Sequence, residues 1–473
     1  MTDYRDRNRR WLWIILVYGL VITGIDLNYS SIFHDEAISV FMGRNALLNL
    51  ACDGLCLQHT GSVLLHPALS AMGDAIAGIY GARTVSAVFG LGLAFVMYST
   101  GRTLFSEKHG LISAMLFLFT GTTLYLSKLG TYDMIAAFFL GLSFLLILKS
   151  EKQQSRFSAN FLLFSGALLL FLGSITKYTV AIYILPILVY VFWRHKVARG
   201  ILYFLFPIIT FLSIYIYSAI LPAWGYLSST TTSPYKEGLL PLMDITSRIF
   251  RWLGMPYLLA VFGTFFKERR LNAIICIVLS LPIVLLHVFT GDGRSVDKNV
   301  IFALVFLMPA MASGVDNMGS IFSTNIPSAW VKPFFTTAVL VVVWVFGLHE
   351  LRWLEKQYPD MSPVVDFYRH KGFNGMTVVI DSVYGEPDYI YRYSLEDTYP
   401  AARFISTSHI TQKEQEDMLE RVKPDFLMFE EFYGAKSFHD AALKYAKRDY
   451  FFVEDFTIPL SWGPQEVKIF RRR

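Results

Sequence analysis

The chain has 473 residues and a formal net charge of +5, and 54% of it is hydrophobic against 17% charged. Ordinary soluble domains are roughly a quarter charged, so this balance excludes a soluble protein and points to one embedded in a membrane. A modest charge with no basic, aromatic-interleaved domain also excludes a nucleic-acid partner.

Apolar runs of about 17–25 residues, long enough to cross a hydrocarbon core, recur from residue 11 to residue 348. They predict about eleven spans, near residues 11–32, 82–104, 109–128, 133–149, 159–176, 179–193, 201–221, 252–266, 271–289, 298–314 and 331–348. The first follows Arg5, Arg7, Arg9 and Arg10 but lacks a small-residue cleavage site, so it reads as a retained signal anchor. Basic clusters at 5–10, 102–109, 149–156, 194–199 and 267–270 occupy alternate connections, which the positive-inside rule puts in the cytoplasm. The connections at 33–80 and 222–250 are then external, as is everything after residue 348. The 315–331 connection is the weakest guide, with Lys332 as its one basic residue.

The first external loop opens on Phe33-His34-Asp35-Glu36. Ionisable residues at the mouth of a membrane helix are costly and usually belong to a site. Ile38, Phe41, Met42 and Ala46 follow at helical spacing, which predicts a short amphipathic helix on the membrane surface. Farther on, His66-Pro67 approaches the second span, which Arg83 opens. Cys52 and Cys56 are either a bridge or two thiols, and a three-residue spacer is an awkward geometry for a bridge. Cys276 lies in an apolar run and reads as core. The external loop at 222–250 is rich in Ser, Thr and Pro before Tyr235-Lys236-Glu237, as either a mobile segment over a site or a plain connection is.

Residues 349–473 have no run of membrane length. Strand-like runs at 377–381, 426–429 and 467–470 alternate with helix-like stretches at 412–422 and 438–447, which predicts a small α/β domain. The fold expected is thus a polytopic α-helical membrane protein, residues 1–348, with an extracytoplasmic α/β domain at its C-terminal end.

Several cations break the positive-inside bias. Lys128 ends the third span externally, and Asp133 opens the fourth. Lys177 lies in the turn Thr176-Lys177-Tyr178, Arg294 and Lys298 precede the tenth span, and His66 and Arg83 lie near the second. A lone Lys at a helix end is usually snorkelling, and an acid opening a helix often serves only its dipole. Their coincidence on one side, facing Asp35, Glu36 and Asp133, suggests a site for a charged lipid headgroup.

This series resembles the C-type glycosyltransferases that use polyprenyl-phosphate sugars, especially the protein O-mannosyltransferases and the lipid A aminoarabinose transferases. Asp35-Glu36 looks like their acidic pair in the first external loop, and His66-Pro67 with Arg83 and Gly90 like their approach to the second span. Lys128 with Tyr132-Asp133 resembles their next external cluster, with Lys where Arg is commoner. Thr176-Lys177 matches their Thr-Lys turn, and Lys298-Asn299 before Pro309 resembles their Arg-Tyr and proline span with both leading residues replaced. The resemblance covers the first two hundred residues well and the later spans loosely.

The resemblance implies transfer of a sugar from a polyprenyl-phosphate donor to an acceptor lipid, protein or polysaccharide, by single displacement with inversion. Asp35 would be the base, and Glu36 and Asp133 would hold acceptor or sugar. Lys128, Lys177, Arg294 and Lys298 would bind the donor phosphate, and His66, Arg83, Tyr132 and Tyr178 would contact substrate. The basic ring supplies charge compensation with no obligatory metal or other cofactor; a divalent ion on the three carboxylates is the rival. It also implies a prokaryotic inner membrane with the site on the extracytoplasmic side. The runner-up is a flippase of lipid-linked sugars, against which stand charges at the rim and the lack of an internal repeat. A polysaccharide polymerase or ligase is a third reading, against which counts an external loop at 222–250 that is only moderately long.

Overall fold

The structure is a computed structural model that describes residues 2–27, 29–47, 65–221, 242–291, 293, 295–325, 330–358, 360–371, 375–382, 388–395, 399, 401–406, 412–431, 448–460 and 464–473. Cys52, Cys56, the Ser228 to Glu237 stretch, Arg294 and the expected helix at 438–447 lie outside the described residues. The chain divides into two compact units: Met1–Leu27 with Met42–Leu351, and Asn28–Phe41 with Arg352–Arg473.

The first unit is helical. In chain order it contains α1 (Thr2–Gly24), the end of α2 (His34–Leu47), α3 (Leu65–Leu104), α4 (Glu107–Phe119), α5 (Gly121–Lys128), α6 (Tyr132–Glu151) and α7 (Arg156–Thr176). A 3-10 turn (Tyr178–Tyr183) leads into α8 (Ile184–Arg194); α9 (Val197–Gly200) and α10 (Phe206–Tyr215) follow, joined by a π turn. The rest are α11 (Leu242–Phe262), α12 (Lys267–Thr290), α13 (Val296–Asn325) and α14 (Val331–Glu355).

Among the described residues seven helices are long and apolar enough to cross a membrane, or eight if α4 and α5 count as one bent span. Arg10–Gly24 and Tyr178–Arg194 are apolar but shorter, and α11 is not among the seven. The expected segments fall largely on helices, while the expected count of about eleven spans is not confirmed. Outer faces carry exposed Phe157, Leu185, Phe206 and Val342, a surface suited to lipid and not to water. This is a multi-pass membrane protein.

Helix α13 is the axis of the unit. Its whole apolar window is buried, as a helix that is hydrophobic all round must be, and it packs on α3, α4, α6, α11 and α12. Gly314 allows that packing, because a Cβ there would lie 1.8 Å from the Leu259 carbonyl oxygen of α11. Backbone cannot give way as a side chain can. Gly314→Ala is therefore expected to lose about 1–3 kcal/mol, read as a lower thermal unfolding midpoint of the detergent-solubilised protein.

One expected span is broken. The 109–128 run bends by 67° between α4 and α5, with Thr120 extended (φ −84°, ψ 131°). Helix α14 packs against the break: a Cβ on Gly347 would sit 1.7 Å from the Phe119 carbonyl oxygen. Glu350 accepts a hydrogen bond from the Gly121 N–H at 3.1 Å, supplying a carboxylate at the start of α5, where the helix dipole favours one. A second bend lies in α3 at Ala77 and Gly78, with Gly78 at φ 60°, so the second span is preceded by its own short helix.

The second unit contains α15 (Ser362–Lys371), α16 (Asp388–Leu395), α17 (Gln412–Val422), and strands β1 (Thr377–Ser382), β2 (Arg403–Ser406), β3 (Phe426–Glu431), β4 (Tyr450–Ile458) and β5 (Gln465–Arg472). The strands form one sheet in the order β2-β1-β3-β5-β4. The first three are parallel, and β5 and β4 are antiparallel. Val379, Leu427 and Phe429 pack with Met418 and Leu419 of α17 to form its core. Residues 29–41 belong to this unit: Ser31 hydrogen-bonds Asp360 and Met361, and the Phe33 ring lies 3.9 Å from that of Tyr358.

Candidate active site

In the first unit a polar cluster forms where three connections meet the N-terminal end of α13. Helix α7 stops at Thr176 because Lys177 leaves helical geometry (φ −148°, ψ 117°) while its N–H still bonds Gly173. Helix α6 starts after Thr131, which is extended (φ −116°, ψ 165°). The turn before it is fixed by α3: Ser86 donates to the Thr131 carbonyl at 3.4 Å, and Gly90 leaves room for Ser127 of α5.

These backbones bring Asp133, Lys177 and Asn299 together. The Lys177 ammonium donates to Asp133 at 2.5 Å and to the Asn299 side-chain oxygen at 2.6 Å. Thr131 donates to the other Asp133 oxygen at 2.8 Å, so both carboxylate oxygens are engaged. The Asn299 amide nitrogen meets His287 Nε2 at 3.1 Å. Lys177 also lies over the Tyr132 and Phe302 rings, 5.3 and 5.5 Å from their centres. Only 1% of the Asp133 side chain and 12% of the Lys177 side chain is exposed. Buried charges persist when paired and hydrogen-bonded, and this pair is both.

The remaining expected residues fall in several places. Lys298, one residue before Asn299, is buried and its charge acts on Asp133. Lys128 is buried at the end of α5, four residues before Tyr132. His66 is fully buried, bonds Ser70 at 3.1 Å and meets the Tyr132 ring edge-on at 5.8 Å. Arg83, also fully buried, donates to the Leu27 carbonyl at 2.6 Å, holding the chain that leaves the first helix. Tyr178 turns outward to Tyr215, 3.3 Å between hydroxyls. Arg294 lies outside the described residues.

In the second unit, Asp35 and Glu36 occupy the first turn of α2. Glu36 is fully buried, and its carboxylate accepts from the Phe33 N–H at 2.8 Å, half of a capping box. Asp35 is partly exposed. Adjacent carboxylates thus sit in different settings. Among the described residues no three His, Cys, Asp or Glu are grouped as metal ligands.

Thr131, His287 and the use of Asn299 were not expected from sequence. Charge at the end of an apolar run flagged Asp133 and Lys177, whereas His287 lies within the run read as the ninth span. A polar residue on that run was the one available signal.

A second cluster lies at the other end of α13. Lys108, Arg269 and Lys332 approach Asp316 at 2.6, 2.8 and 3.1 Å, with His109 at 3.5 Å. Connections 102–109, 267–270 and the one holding Lys332 therefore end on the same side of the unit. Lys298 and Asp316 are roughly 27 Å apart along the helix at about 1.5 Å per residue. Asp316→Asn is expected to lower stability by about 1–3 kcal/mol, less than a fully buried pair because the cations keep partial access to water. Lipid-phosphate affinity should stay unchanged, since the two clusters share no residue; thermal unfolding and a binding isotherm check both.

Residues 70–233, about a third of the chain, match the family model described as dolichyl-phosphate-mannose-protein mannosyltransferase. Among curated proteins none matches in sequence. ArnT from Cupriavidus metallidurans bound to undecaprenyl phosphate is similar in structure, with a TM-score of 0.61 at 12% identity over 97% of this chain and 98% of that one. The Archaeoglobus fulgidus oligosaccharyltransferase AglB, in complex with an inhibitory peptide and a dolichol-phosphate, gives 0.54 at 10% identity over 89% of this chain and 69% of that one. Arabinofuranosyltransferase AftD from Mycobacteria gives 0.57 at 14% identity over 98% of this chain and 40% of that one. At such identities the likeness is one of fold. The chain thus carries a segment that matches this family model and shares its fold with these three solved proteins.

Proposed function

We propose that the chain transfers a sugar from a polyprenyl-phosphate donor of the undecaprenyl type to a hydroxyl or phosphate of an acceptor lipid, protein or polysaccharide. The reaction takes place on the extracytoplasmic side of a prokaryotic inner membrane. The observation that carries this reading is the partly buried Lys177, held by Asp133 and Asn299, with the charge of Lys298 also acting on Asp133.

The charges suit the chemistry. Lys177 and Lys298 both act on Asp133, and Lys128 is buried at the end of α5 in the same unit. A polyprenyl-phosphate sugar is a diester with one negative charge, and it leaves as a monoester carrying about 1.5 to 2. The acceptor oxygen bonds to the anomeric carbon, the bond to the phosphate oxygen breaks, and the acceptor proton passes to Asp35. Negative charge grows on the phosphate during that step. Fixed cations therefore stabilise the transition state more than the ground state. Asp133 makes the arrangement affordable at the membrane edge, because a desolvated lysine without an anion tends to lose its proton. No obligatory metal is needed for this compensation. One displacement inverts the anomeric centre.

A flippase without chemistry is the second reading, favoured by the broken α4 and α5 pair, since transporters build their sites on discontinuous helices. A detergent micelle separates the two, having no second leaflet. Purified protein given a lipid extract containing polyprenyl-phosphate sugars and an acceptor extract should release free polyprenyl phosphate, followed by mass spectrometry. Absence of release while the lipid still binds would favour the flippase.

A further inference from the structure

Lys177 has an orientation as well as a position, and the hydrogen-bond directions determine what sets it. An ammonium only donates, so the Asn299 atom 2.6 Å from it is the oxygen. The amide must then present its NH2 to His287, 3.1 Å away. That group also only donates, so His287 Nε2 is the acceptor and the ring proton is on Nδ1. The assignment follows from the lysine alone. His287 is buried in the last turn of α12, and Asn299 is buried in the first turn of α13, so neither amide nor ring turns freely.

Asp133 and Asn299 take two of the three ammonium protons. Among the described residues the third meets no acceptor, and the rings of Tyr132 and Phe302 flank the nitrogen. The line from His287 through Asn299 to Lys177 thus fixes which way the third proton points.

We infer that His287 and Asn299 are positioning residues that orient Lys177 toward an oxygen of the donor phosphate. This rests on the reading of Lys177 as a donor-phosphate cation. Loss of the His287 acceptor leaves the amide free to turn its NH2 toward the ammonium, donor against donor. A displacement of the order of 1 Å at such a contact costs up to about a hundredfold.

The test uses the full chain in detergent with undecaprenyl phosphate as the probe, the dissociation constant being measured for wild type, His287→Leu, His287→Gln, Lys177→Met and the double variant His287→Leu/Lys177→Met. His287→Leu should weaken binding about tenfold, and His287→Gln, whose amide oxygen can accept from Asn299, should stay within about threefold of wild type. In the Lys177→Met background His287→Leu should add less than about twofold, because the residue it orients is gone. A purely structural histidine would cost the same factor in both backgrounds, and that result overturns the inference. So does unchanged binding by His287→Leu while Lys177→Met binds weakly. If Lys177→Met binds as well as wild type, the donor-phosphate reading itself fails, and the inference with it. Should His287→Leu not fold, Asn299→Ala takes its place with the same expected values.

Discussion

Lys177→Met is expected to lower kcat/KM by about two to three orders of magnitude, the range seen when one preorganised group is removed from developing charge. It is also expected to destabilise the protein by about 3–5 kcal/mol, since Asp133 would remain a buried carboxylate without its cation. The two effects separate in a double variant. Asp133→Asn/Lys177→Met removes both charges and keeps an oxygen for Thr131, so thermal stability should return most of the way while activity stays low. Unfolding midpoints and initial rates of polyprenyl-phosphate release provide the two readouts. Recovery of activity along with stability would make Lys177 a structural residue and remove the central cation from the mechanism.

The charged pair was legible in the sequence because charge at the end of an apolar run contrasts with everything around it. Asp133 and Lys177 could each be assigned to an external turn from the run lengths alone. Their partnership is tertiary, 44 residues apart in the chain, and Asn299 joins them from 122 residues beyond Lys177. His287 was hidden for the opposite reason: one imidazole at the end of a long apolar run hardly alters its hydropathy. Tyr178 adjoins Lys177, yet the 3-10 turn that starts there sends its hydroxyl to Tyr215. Proximity in sequence does not give a common direction.

The same contrast holds for the fold. Apolar runs located most helices, because about twenty apolar residues have few other uses. The break at Thr120 was invisible: Phe119-Thr120-Gly121 reads as a continuous run, and what packs there is Gly347 and Glu350, 229 residues from Gly121 at the carboxylate. In the second unit, β1, β3 and β5 match the strand-like runs, and α17 matches the expected helix. The four-residue β2 is too short to register. The edge strand β4 carries a bulge between Phe452 and Glu454, which spoils the alternation that marks a strand. Three of the four cations assigned to the donor phosphate are described: Lys128 and Lys298 are buried, and Lys177 is partly buried.

Asp35→Asn is expected to lower kcat by about a hundredfold to ten-thousandfold, the contribution of a positioned base, while undecaprenyl phosphate binds with unchanged affinity. The adjacent acids make this a discriminating experiment. Glu36 is fully buried and its carboxylate caps the first turn of α2, so Glu36→Gln should chiefly reduce stability, by about 0.5–2 kcal/mol as cap losses do. Asp35 is partly exposed on the same turn, where a carboxylate can reach an acceptor proton without unfolding its helix. Opposite signatures should therefore come from neighbouring residues: a rate defect with normal stability at Asp35, and a stability defect with a near-normal rate at Glu36. Asp35→Glu, which keeps the acid but moves it by one methylene, should recover part of the rate. If Asp35→Asn turns over as wild type does, proton removal does not pass through this side chain, and the acid pair belongs wholly to the architecture of α2.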